Sequence, residues 1–273
     1  MSTFLRTVRA ETAKITSTRM WWVLALVLFA YVLVLSGGLG ALFGAGSTGS
    51  LPGETTGEIP TTTGLAPLLY SFASSIGYVF PVLLGALAVT GEVRHQTLTP
   101  TFLATPKRGL VLTAKLVVLL VFGALFGVIG LVASVGGGAG ALALFDIDTE
   151  LGSSDIWAMF ARVVLAMALW AAVGIGLGSV VTNQVAVIVI VIAFTQFIEP
   201  VLRSVGALAD WIADIVRFLP GAASDALVGT SVFGMMAPGQ ETLDWWIGAL
   251  VLAGIAAVLT IIGALTTWRR DVT

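Results

Sequence analysis

The chain has 273 residues, of which 58% are hydrophobic and only 10% charged, against about 25% charged in ordinary soluble domains. A formal net charge of −2 with no basic domain gives no footprint for nucleic acid. No cysteine and one histidine exclude disulfides, thiolate metal sites, thiol nucleophiles and His-pair metal sites.

Residues 1–19 read as an amphipathic helix on the inner membrane surface. Phe4, Val8 and Ile15 share a narrow arc, Leu5 and Thr12 flank it, and Arg6, Arg9 and Lys14 point elsewhere. A disordered basic tail is the other reading. The long basic stretch, and the absence of a small-x-small site at the expected depth, argue for retention of the first apolar run and against a cleaved signal.

About 20 apolar residues cross a hydrocarbon core of about 30 Å. The uncharged stretches give spans at about 20–43, 65–90, 110–135, 158–181, 183–200 and 245–268. The third is expected to end at Gly136, Gly137 and Gly138, and Thr182, Asn183 and Gln184 divide the fourth from the fifth. If six spans alternate, Arg6, Arg9, Lys14, Arg19, Arg94, Lys107, Arg108, Lys115, Arg269 and Arg270 fall on one side, leaving Arg162, Arg203 and Arg217 on the other. The positive-inside rule then puts both termini in the cytoplasm of a plasma-membrane protein. Gly123-x-x-x-Gly127 and Gly174-x-x-x-Gly178 have the spacing that lets membrane helices approach closely.

Between the fifth and sixth spans, region 201–240 reads as two short outer re-entrant helices. Leu208, Trp211, Ile212 and Ile215 share a face of the first, which Pro220 and Gly221 end; a weaker apolar stretch runs from 222 to 236. The fold class is thus an all-α membrane protein: residues 1–19 form an interfacial helix and 20–273 a six-span domain.

Intramembrane ionisable groups are functional candidates. Glu199 is one, because Val185–Ile198 covers only about 21 Å at 1.5 Å per residue. Thr195, Gln196 and Glu199 are expected on one side of that helix, lining a substrate path or a dimer midline with Trp21 and Trp22. The alternative is that Glu199 caps the fifth span at the outer interface.

The second polar feature is the compact insert 91–109, "GEVRHQTLTPTFLATPKRG". Gly91 is expected to end the second span with a left-handed residue. Thr99-Pro100 and Thr105-Pro106 read as caps followed by first-turn prolines, giving a short helix over 100–104 and a third span from Pro106. A simple connection between antiparallel helices needs 2–8 residues. This insert is longer and ordered by its own caps, as a surface made for a soluble partner would be.

"GEVRHQTLTPTFLATPKRGLVLTAKL" resembles the segment after the second span in permease subunits of the ABC-2 exporter family, with its Gly-Glu-x-Arg-x-x-Thr sequence, short coupling helix and Pro-x-Arg run into the third span. The layout of the whole chain is similar to that family as well. The resemblance implies two copies of a separate ATPase that binds ATP and Mg, with no cofactor or metal in this chain. It also implies a second permease copy, identical or related, and contact of Glu92, Arg94, His95, Gln96, Thr97 and Phe102 with the ATPase. No GxxxxGK[ST] phosphate loop is present, and the chain is expected not to be an enzyme. The outer loops are minimal, which departs from the large-ectodomain members. The cargo class that the composition suggests is hydrophobic or amphiphilic: drug, lipid or peptide. The competing reading is a non-transporting membrane anchor or assembly protein that binds a cytoplasmic partner through 91–109. An ion-coupled carrier and an intramembrane enzyme have less support, since only Glu199 and His95 offer the chemistry.

Overall fold

The computed structural model describes residues 2–47, 64–206, 210–230, 243–266 and 268. The loop after the first span, Leu208, the end of the 222–236 stretch, Arg269 and Arg270 lie outside them. Among the described residues the regular structure is all helical, and six helical segments are long and apolar enough to cross a membrane. This is a multi-span α-helical membrane architecture.

The helices are α1 (Thr3–Thr16), α2 (Met20–Ser47), α3 (Leu65–Ser75), α4 (Val79–Arg94), α5 (Leu98–Ala104), α6 (Arg108–Leu144), α7 (Ser154–Val180), α8 (Gln184–Ala193), a π-turn (Phe194–Ile198), α9 (Glu199–Gly206), α10 (Asp210–Val216), α11 (Pro220–Val228) and α12 (Trp245–Thr266). α3 with α4 forms the second span, and α8 with α9 forms the fifth. Successive spans alternate in direction, so α1, α5 and the starts of α2, α6 and α8 gather at one end, the basic end. The α6–α7 turn, α10 and α11 occupy the far end.

α6 is the mast of the bundle. Its 37 residues cover about 55 Å at 1.5 Å per residue, more than the hydrocarbon core requires. Gly136–Gly138 do not end it. Glycine costs about 1 kcal/mol within a helix, but here it permits contact: a Cβ on Gly137 would lie 2.6 Å from the Leu33 carbonyl, and one on Gly138 2.7 Å from Ser36 Oγ. Packing against α2 thus carries the helix on to Leu144, where Asp146 (φ 53°) takes the left-handed position and the Ile147 amide donates to Leu142 O at 3.1 Å.

In lipid, helices associate through close packing of small residues rather than through a hydrophobic drive. The two glycine spacings serve this. Gly123 and Gly127 face α7, where added Cβ atoms would approach Met167 O at 2.7 Å and Val164 Cα at 2.9 Å. Gly174 and Gly178 face α4, where they would strike the Val82 carbonyl and, at 2.6 Å, Ala86 O. Trp170, Tyr70 and Phe126 fill the centre, each nearly fully buried.

Both kinked spans owe their bends to proline. Pro81 is the third residue of α4 and lacks the N–H that would reach Gly77; its ring also crowds that carbonyl. The second span, expected continuous, therefore breaks at Ile76–Tyr78, where Ile76 and Gly77 both donate to Phe72 O. Pro200 acts likewise on the fifth span, and the backbone widens into the π-turn Phe194–Ile198 ahead of it. Pro220 follows the end of α10 at Val216. It occupies the first position of α11, which Gly229 (φ 92°) closes. Among the described residues, two short helices, α10 and α11, lie between the fifth and sixth spans; α11 is wedged against α12, α7 and α3.

α1 forms, but its buried line is Thr7, Glu11 and Ile15, with Val8 half-buried, while Phe4 and Leu5 are exposed. Glu11 turns toward the bundle because its partner Lys115 sits on α6.

Candidate functional site

At the basic end, four charged side chains from three helices form a closed alternating ring. Lys14 donates to Glu11 Oε1 at 2.6 Å and to Glu92 Oε1 at 2.7 Å; Lys115 donates to Glu11 Oε2 at 2.5 Å and lies 3.0 Å from Glu92 Oε1. Glu11, Glu92 and Lys115 are all buried. Lys14 also reaches Thr101 Oγ1 of α5 at 3.2 Å. Burial works to lower the Lys14 pKa, but the charges and hydrogen bonds of Glu92 and Glu11 outweigh it and hold the ammonium above its ordinary 10.5. The ring is neutral in sum, so its members compensate one another away from water.

This corrects the expected end of the second span. Gly91 does not terminate the second span: α4 runs through it to Arg94, since the Glu92 contacts outweigh one glycine's helix penalty. The left-handed residue is Gln96 (φ 53°), with the Thr97 amide donating to Glu92 O at 3.0 Å and the Gln96 amide to Val93 O at 3.2 Å, the paired bonds of a Schellman cap. Glu92 turns inward to the ring, whereas exposed Arg94 donates to Gln184 Oε1 at 3.1 Å, tying the knob to the start of the fifth span.

α5 begins at Leu98, two residues ahead of the expected start, with Pro100 third in the helix, and α6 begins at Arg108 rather than Pro106. Phe102 faces inward. Its ring meets Trp268 edge-on at 5.6 Å, with the Arg108 guanidinium 5.0 Å above it, and Arg108 donates to Trp268 O at 2.6 Å. The outward face consists of Arg94, His95, Gln96, Thr97, Thr99, Pro100 and Leu103. Leu103 is 79% exposed. Leu103 follows Thr99 by four positions on a helix whose other side is anchored by Leu98 and Phe102, a spacing legible in the sequence.

At the far end, the two proline kinks meet. The Tyr78 hydroxyl donates to Thr195 O at 3.4 Å, and the Tyr78 ring stacks on Trp170 at 4.4 Å. Trp170 Nε1 donates to Ser224 Oγ of α11 at 3.0 Å. Glu199 is 3% exposed; its Oε1 accepts the Ala222 amide at 2.9 Å, capping the first turn of α11, and lies 3.4 Å from Arg203 Nε. Arg203 binds Asp225 at 2.6 Å. These groups line a cavity of about 20 Å³ together with Ser75, Thr195, Pro200 and Gly221.

Glu199 therefore caps a helix other than its own. Thr195 and Glu199 share the buried side, but Gln196 is exposed, since the π-turn offsets the register on which the expected trio depended. Trp21 and Trp22 lie at the opposite end of the bundle. Trp21 packs edge-on to Phe122 at 5.9 Å, while Trp22 is 45% exposed on the outer surface of α2. The five residues do not form one site.

Neither a scan against protein-family models nor a search of curated proteins returns a match for this chain.

Proposed function

We propose that this chain is the membrane permease subunit of an ATP-driven exporter of the ABC-2 kind, in a plasma membrane with its basic end and both termini cytoplasmic. In this reading, 91–109 is the coupling element. Two copies of an ABC ATPase, carrying ATP and Mg, grip such knobs on a pair of permeases and switch them between inward and outward access for a hydrophobic or amphiphilic cargo. α10 and α11 dip into the outer leaflet without crossing it.

One observation carries the proposal. The knob is both presented and braced. Leu103 and Arg94–Thr97 face outward, while the charged ring, the Arg94–Gln184 bond and the Phe102–Trp268 contact bind the same short segment to α1, to the third and fifth spans and to the chain just after the sixth. A push on the knob is delivered to α1 and three spans at once, which a passive tether would not require. Glu92 contributes by holding the knob in place, and Leu103 and its exposed neighbours make the contact. Exposed apolar anchors within a polar rim dominate such interfaces.

The test is co-purification with stand-alone ABC-type ATPases from the same source. Leu103→Asp should reduce ATPase capture at least tenfold while leaving the permease folded, and Thr149→Asp at the far end should leave capture unchanged. Full capture by the Leu103 variant would rule the knob out as the coupling site.

A further inference from the structure

Two polar atoms at the kinks are shut away from solvent with nothing to bond. Glu199 Oε2 and Ser75 Oγ have no hydrogen-bond partner among the described residues, and both residues line the cavity between the kinks. Ser75 is the last residue of α3, at the break in the second span; Glu199 opens α9, just past the π-turn of the fifth. Buried polar groups are nearly always paired, either with protein or with ordered water.

The rest of the wall needs the same kind of partner. The Tyr78 hydroxyl spends its proton on Thr195 O, and Thr195 Oγ1 spends its own on Val191 O at 2.7 Å. Ser224 Oγ accepts from Trp170 Nε1, and its own proton has no acceptor among the described residues. A small group that both donates and accepts would serve them all. Water does so whether Glu199 is charged or neutral, since it donates to a carboxylate oxygen and accepts from a carboxyl O–H. The volume agrees. A cavity of about 20 Å³ has room for one water, which needs about 10–15 Å³, and not for two. Gly221 preserves that room: a Cβ there would lie 2.8 Å from Glu199 Oε2.

We propose that this cavity is the site of one ordered water, bonded to Glu199 Oε2 and Ser75 Oγ, and that this water is the joint between the second and fifth spans. The direct bond between the kinks, from the Tyr78 hydroxyl to Thr195 O, is long at 3.4 Å against about 2.5–3.0 Å for an ordinary O–H···O bond, so the water supplies the firmer link. Glu199 also caps α11 at the Ala222 amide, and the same water therefore connects Ser75 to α11. Such a joint holds the kinks together while letting them bend, because a water can shift and re-form its bonds where a direct side-chain contact would break. The inference stands apart from the exporter reading and involves neither ATPase nor cargo.

The experiment turns on a sign. Deleting a buried hydroxyl that lacks a partner relieves an unpaired group and leaves stability equal or raised, whereas deleting one that is hydrogen-bonded lowers it. Ser75→Ala should therefore lower the thermal midpoint of the full chain in lipid nanodiscs by a few degrees. Ser179→Ala is the comparison. Ser179 is also fully buried with an unpartnered Oγ, but it is packed against Gly263 of α12, and its removal should leave the midpoint unchanged or raise it. Glu199→Gln keeps a carbonyl oxygen for the Ala222 amide. Combined with Ser75→Ala, it should cost less than the sum of the two single losses, because both act on the same water. A high-resolution structure in lipid should show one water within hydrogen-bond distance of both side chains. A raised midpoint in Ser75→Ala, additive losses in the double variant, or a direct Glu199–Ser75 bond with no water between them would each overturn the proposal.

Discussion

The fate of Glu92 shows how far a single residue's role depends on what stands opposite it. Read in sequence, Gly91-Glu92-x-Arg94 looks like a helix end followed by two surface charges, and removing Glu92 would then leave stability untouched. The ring reverses that expectation. Lys115 from α6 and Lys14 from α1 both converge on Glu92, and neither partner can be inferred from the local sequence. Removing one member of a buried ion pair costs about 3–5 kcal/mol, whereas replacing both by apolar groups of similar size is often neutral. Glu92→Ala should therefore lower stability by about 3 kcal/mol. Glu92→Met with Lys115→Met should be less damaging than either single change, because the Glu11–Lys14 pair survives at 2.6 Å. Thermal denaturation of the four proteins in detergent closes the cycle. Additive losses would mean that the ring is not a coupled unit.

Among whole elements, the legible features were those set by composition. Six apolar stretches gave six spans, and the glycine spacings on α6 and α7 marked close contacts. The partner of each spacing was not legible, since Gly123 and Gly127 face α7 while Gly174 and Gly178 face α4. Helix ends were misjudged wherever tertiary contact overrode a local signal, as at Gly91 and at Gly136–Gly138. The kinks are a different case. Pro81 and Pro200 each stood in the sequence with a known effect on the preceding turn, and their shared consequence, a polar pocket where both kinks face α11, emerges only when the spans are placed side by side. Glu199 was recognisable as a candidate; Ser75, Tyr78, Arg203, Gly221 and Asp225 were not, since each comes from a different turn of the bundle or reads as an ordinary surface residue. The packing account is open to a direct comparison. A side chain at Gly174 meets the Val82 backbone, which cannot move aside, whereas one at Gly254 meets nothing within 4 Å. Gly174→Val should destabilise the protein by about 3 kcal/mol or more, by overpacking, and Gly254→Val should change stability by less than about 1 kcal/mol in either direction. Similar losses at both positions in reversible unfolding would refute the close α4–α7 contact.

For the molecule as a whole, the distribution of exposure bears on assembly. The fourth span is the most enclosed, and the first, fifth and sixth are the most open. The first exposes Trp22, Leu26 and Val34, and the fifth exposes Val189, Phe197 and Val201. Lipid accounts for apolar exposure in general, so exposure alone does not specify a partner. For the permease proposed above, pairing follows from the transport role. The pocket at the kinks lies at the far end, the knob at the basic end, and the close-packed seams of α6 with α7 and α7 with α4 fill the interior between them. A continuous route through one copy would have to breach those glycine contacts, whereas a route between two copies can open by rocking one bundle against another, leaving each seam intact. Two copies meeting along the first and fifth spans are therefore the expected unit. Native mass spectrometry from nanodiscs should show two chains. With tryptophan replaced by cysteine at position 22, copper-catalysed oxidation should yield a covalent dimer, while Leu250→Cys on the sixth span should yield far less. A protein that stays monomeric in several lipid compositions, or that cross-links as readily through Leu250→Cys, would exclude this midline and require a route within a single bundle.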